Sequence, residues 1–160
     1  MSQCVKLLLC AWIVCVAGPV RAEVVSLNKL DDWAFDYSPT IQLDTAIEDD
    51  SLVIGIESSG NPETNYITAK TKVDWTVESG QVVHLELKAD KGMEVYFALE
   101  LTTETGQKFT GLPSGHETWP FTIDSKETSA SIGLDGFKSG DSESLQSGER
   151  VVAVKIIIGP

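Results

Sequence analysis

The chain has 160 residues, 42% of them hydrophobic, with 24 acidic against 12 basic residues and a net charge of −12. That balance argues against nucleic acid and anionic membrane surfaces as partners, since phosphate contacts need clustered Lys and Arg, and it favours solubility. The length suits one domain of ordinary size that buries its own core.

In chain order, Lys6 leads into the apolar run 7–17, and Val20, Arg21 and Ala22 supply small residues around a cut. A charged start, a short apolar stretch and a small-x-Ala end are the features of a secretory signal, and the stretch is too short to span a bilayer comfortably. The expected organisation is therefore a signal peptide at 1–22 and a single domain at 23–160, secreted or periplasmic after cleavage near Ala22. Cys15 is preceded by Trp12, Ile13 and Val14 rather than the small residues that lipoprotein processing needs. All three cysteines, Cys4, Cys10 and Cys15, fall in the removed piece, so the exported product is expected to lack disulfides. Losing Lys6 and Arg21 takes the net charge to −14. No second stretch is long enough to cross a membrane as a helix, so no membrane insertion of the mature chain is expected.

The rest of the chain alternates apolar and polar residues, which predicts strands with one buried face. Residues 24–27 and 41–47 are the weaker candidates. Leu52, Ile54 and Ile56 alternate with Val53, Gly55 and Glu57, and Ile67, Ala69, Thr71 and Val73 alternate with Tyr66, Thr68, Lys70 and Lys72. Val83, Leu85 and Leu87 are expected inside, with His84, Glu86 and Lys88 outside. Then Met93, Val95, Phe97, Leu99 and Leu101 share one face while Glu94, Tyr96, Ala98 and Glu100 share the other. The tight connection 89–92 between these two runs predicts an antiparallel hairpin. Trp119, Phe121 and Ile123 are expected inside, 129–134 is short and Ser-rich, and 138–150 reads as a mobile loop. The closing run 151–158 is broken only by Lys155, which suits a strand central in its sheet or buried on both faces. No helical stripe reaches ten residues. Eight or so strands with closely spaced turns predict an all-β fold, a two-sheet antiparallel β-sandwich of jelly-roll type.

Four features carry a resemblance: Asp31-Asp32-Trp33 after a short first strand, the 51–56 strand, the segment 72–77 before Gly80, and the closing 152–158 run. In pattern and order over nearly the whole mature chain they resemble the galactose-binding-like jelly rolls found among carbohydrate-binding modules of secreted glycoside hydrolases, though no catalytic domain is attached here. The resemblance implies glycan recognition and a structural calcium near the chain ends, for which Asp31, Asp32, Asp36, Asp49 and Asp50 could supply the oxygen ligands that hard cations require.

Sugars bind by stacking on aromatic faces with polar groups at their hydroxyls. Tyr96 is the leading candidate by alternation, with Glu94 beside it and His84 and Glu86 expected on the same sheet face in the neighbouring strand. Trp33 and Trp75, near strand ends, either cap the core or line a loop-side groove, and Trp75 joins the expected ligand-binding set with Tyr66 in support. The bland alternative for each is a solvated face or an ordinary core aromatic. Catalysis is not expected: His84 and His116 show no metal spacing, no cysteine survives export, and no nucleophile elbow is present. The readings to test are a secreted, non-catalytic carbohydrate-binding protein and, alternatively, an exported structural or accessory domain that docks on an extracellular protein partner.

Overall fold

The computed structural model describes residues 3–10, 13–14, 24–25, 29–48, 51–58, 65–113, 120–126 and 128–159, the first three ranges as backbone only. The strands are β1 (Gln3–Cys10), β2 (Ile13–Val14), β3 (Val24–Val25), β4 (Trp33–Tyr37), β5 (Ile41–Glu48), β6 (Ser51–Ser58) and β7 (Ile67–Thr76). There follow β8 (Val82–Ala89), β9 (Met93–Thr103), β10 (Lys108–Gly111), β11 (Phe121–Ile123), β12 (Thr128–Gly133) and β13 (Arg150–Gly159). The helical content of the described residues is two short 3-10 turns, Leu30–Asp32 and Leu134–Gly136.

All the strand pairings are antiparallel. Among the described residues, one sheet has the order β12-β8-β1-β6-β5, a second runs β10-β9-β13-β7-β4 with β11 also on β9, and β2 and β3 form a separate two-stranded sheet. The fold is therefore all-β and sandwich-like. Side chains from both sheets meet in one core, including Leu52, Ile54, Leu85 and Leu87 from the first sheet and Phe97, Leu99, Leu101 and Ile156 from the second, none more than 2% exposed. Phe97 and Phe121 pack with ring centroids 5.5 Å apart. Such offset aromatic contacts add to the gain from apolar burial itself.

The alternation in β8 and β9 places the expected side chains inward: Val83, Leu85, Leu87, Val95, Phe97, Leu99 and Leu101 are buried, Met93 partly so. The expected hairpin between these strands does not form. β8 pairs with β12 and β1, whereas β9 pairs with β13, β10 and β11. The connection 89–92 crosses from one sheet to the other, tied where the Ala89 amide donates to the Asp124 carbonyl at 3.0 Å. A period of two fixes which side of a strand is buried; it is silent about which strand lies alongside.

The final strand is central, flanked by β7 and β9, with a register irregularity between Val151 and Ala153. Segment 138–150 is more tightly organised than a mobile loop. Lys138 and Thr110 exchange backbone hydrogen bonds, the Leu145 amide donates to the Phe137 carbonyl, and Gly148 and Glu149 bond Val77. Leu145 is buried in the core, and Gly148 makes its turn at φ +91°, where a glycine carries no Cβ penalty.

Candidate functional site

The outward face of the six-stranded sheet brings together residues that are far apart in sequence. Ile158 stands opposite both Phe97 on β9 and Ile67 on β7, and all three point inward. One step along each chain, Gly159 pairs with Tyr96, and Tyr66 follows the same register on its other side. By the alternation of a pleated strand, these three positions face outward. Tyr96 and Tyr66 are 37% and 41% exposed, and they stand two strand spacings apart, about 10 Å, with a glycine between them.

Gly159 gives this arrangement its shape. A Cβ there would lie 3.6 Å from Tyr96 Cβ and 3.9 Å from its Cδ1, so a longer side chain would extend into the gap between the rings. The Tyr66 backbone is fixed in both directions by buried Ser38: its amide donates to Ser38 Oγ at 2.9 Å, and its carbonyl accepts from the Ser38 amide at 3.0 Å. The next row is Ala98, Ile157 and Thr68, of which Ala98 is fully buried and the other two are half-buried; beyond it come Glu100, Lys155 and Lys70. Lys155 Nζ lies 2.9 Å from Glu100 Oε1, and Lys108 Nζ lies 3.6 Å from the same oxygen. This face thus presents two exposed tyrosines on either side of a glycine, with charged side chains two rows away and Glu94 on the same face of β9 as Tyr96.

The expected patch of Tyr96, Glu94, His84 and Glu86 is not assembled. His84 and Glu86 are on β8, in the other sheet, and half-exposed there. His84 Nδ1 is 2.8 Å from Ser131 Oγ on paired β12, and its Nε2 is 4.0 Å from Glu86 Oε1. Because the two sheets share a core, their outward faces point away from each other. Trp75 is 3% exposed and sits in the core, as does Trp33 at 8%, which settles their open placement in favour of core packing. The Trp75 indole N–H is buried without an acceptor among the described residues. In the sequence Glu100 is legible as an outward neighbour of Tyr96 and Lys155 as the one polar break in the last strand, while Gly159 and Ile157 carry no site signal. Their alternation in the last strand was visible, but their position beside Tyr96 follows only from the sheet order.

Of the expected calcium ligands, Asp31 and Asp32 lie in the turn before β4, Asp36 lies on β4, and Asp49 and Asp50 lie outside the described residues, as do His116 and Trp119. Among the described residues no three His, Cys, Asp or Glu side chains gather as a metal-holding group. At the opposite end of β13 from Gly159, Arg150 grips Asp74 with two contacts of 2.7 Å and reaches Glu104 at 3.1 Å. The hydrogen bonds from Arg150, reinforced by its charge, hold the Asp74 carboxyl below the usual range. No helix among the described residues is long and apolar enough to cross a membrane. Set against known protein families, curated proteins and solved structures, the chain matches none.

Proposed function

We propose that this protein is a secreted or periplasmic, non-catalytic carbohydrate-binding domain of the galactose-binding-like jelly-roll kind, seating a sugar ring over Gly159 between Tyr66 and Tyr96. The observation that carries the reading is the pair of exposed tyrosines standing on either side of Gly159 in one outward row of the sheet. An aromatic pair about 10 Å apart leaves room for one ring in van der Waals contact with each wall, at about 4 Å a side. The C–H faces of a pyranose are apolar and its rim is polar. Stacking therefore falls to Tyr66 and Tyr96, and hydroxyl bonding to Glu94 and Thr68 at the two ends of the gap. Ile157, half-buried in the next row, extends the platform toward a second ring. His84, Glu86 and Trp75 take no part in this version of the site, since the first two stand on the other sheet and the third is enclosed.

The test is affinity electrophoresis against soluble xylan, galactan, mannan and mixed-linkage β-glucan. At least one polysaccharide should retard the protein, and Tyr96→Ala and Tyr66→Ala should each weaken that retardation by roughly tenfold, about 1.4 kcal/mol. The reading fails if no polysaccharide retards the protein or if both variants behave as the parent.

A further inference from the structure

In the first sheet Gln3–Cys10 holds a central position. β1 lies between β6 and β8 and is antiparallel to each, so β6 and β8 run parallel to one another, about 10 Å apart, with no direct pairing. In register, Leu7 stands opposite Ile54 and Ala89, and Leu9 opposite Leu52 and Leu87. These four flanking residues are at most 1% exposed. β3 has a similar dependence: among the described residues Val24 and Val25 pair with Val14 and Ile13 of β2, which itself lies against β8.

We propose that the slot between β6 and β8 is a strand acceptor, filled in the exported product by the new N-terminal stretch, residues 23–28, in place of Gln3–Cys10. The proposal rests on cleavage after Ala22, as read from the sequence. That single cut removes β1 from the slot and β2 from β3, so it opens an acceptor and frees a donor at the same time. Leaving the slot empty would expose core side chains and strip the facing amides and carbonyls of β6 and β8 of their partners, which a sheet interior does not tolerate.

The replacement fits by pattern. With Val25 in the place of Leu7 and Leu27 in the place of Leu9, apolar residues meet Ile54 and Ala89, then Leu52 and Leu87, while Ser26 faces away. A slip of one residue would turn Ser26 against Leu52 and Leu87. The three steps from Leu27 to Leu30 span about 10 Å. That matches the two-strand distance from the slot to β5, against which the Leu30–Asp32 turn lies.

Amide hydrogen exchange on the exported product tests this, with N-terminal sequencing of the same sample reporting the cut independently. A product starting at Glu23 should show residues 52–56 and 87–89 protected, exchanging on the order of a hundredfold more slowly than open edge strands. Val25→Asp and Leu27→Asp should abolish that protection, and Val24→Asp and Ser26→Asp should retain it. A synthetic peptide of residues 23–28 should restore protection to a chain starting at Lys29. If that shortened chain does not fold, the contrast between Val24→Asp and Val25→Asp carries the test. A correctly cut product in which the slot exchanges freely, or stays protected in Val25→Asp and Leu27→Asp, overturns the proposal. So does protection that disappears on dilution, which would assign the slot to a second copy, and so does an exported product that retains the leader. Because glycan retardation is read separately, either result stands without the other.

Discussion

Gly159 is the position where a small change is expected to have the most specific effect. Its missing side chain opens the gap beside Tyr96, and a single Cβ there would make only ordinary contacts at 3.6 and 3.9 Å. Gly159→Ala should therefore be nearly silent in stability, whereas Gly159→Val should fill the gap and reduce polysaccharide retardation while the melting temperature stays close to the parent's. Arg150 offers a different test. Its grip on Asp74 lowers that carboxyl's pKa in the folded state, so the pair stabilises the fold above the ordinary aspartate range. That contribution is lost as pH falls through the depressed value. Thermal melts across an acid series should show the parent losing its advantage over Asp74→Asn as pH drops. The effect should be small and weaker in high salt, because both side chains are solvated.

Within β9 the two faces of one strand should separate cleanly. Leu99 is fully buried at the centre of the core, and Leu99→Ala should cost about 2–5 kcal/mol in chemical denaturation. Tyr96→Ala, three positions away on the outward face, should cost under about 1 kcal/mol. Gly111 ends β10 where a Cβ would come within 2.8 Å of the Phe137 ring and 2.9 Å of Ile132 Cγ2. Overpacking at that contact should make Gly111→Ala destabilising by about 1–3 kcal/mol. The inward face of β9 was legible in the sequence because Met93, Val95, Phe97, Leu99 and Leu101 repeat with period two. Its neighbours were not, since the short connection at 89–92 suits a hairpin and a crossing between sheets equally well. Tyr96 was recognisable as outward from its phase. That Gly159 and Tyr66 stand beside it depends on β13 inserting between β9 and β7, a pairing of segments about 60 and 90 residues away along the chain. The Ser-rich stretch 138–150 misled for a related reason: composition suggested freedom, while Leu145 inserted into the core and backbone bonds to Thr110 and Val77 tied the segment down.

Among the described residues two large antiparallel sheets share one apolar core, and each outward face has its own chemistry. The five-stranded sheet carries His84 and Glu86 beside Ser131, and the six-stranded sheet carries the exposed Tyr96 and the Lys155–Glu100 ion pair. The acidic net charge disfavours polyanions and Lys155 is already paired with Glu100, so the proposed ligand would be held mainly by stacking rather than by charge. Retardation should accordingly change little between low and moderate salt, whereas a polyanion bound through Lys70 and Lys155 would be released as salt rises. The account is tested most directly by polysaccharide affinity electrophoresis of the parent beside Gly159→Val and the Tyr66→Ala, Tyr96→Ala double variant. It predicts a retarded parent and two folded variants that run freely. Equal retardation of all three would contradict it.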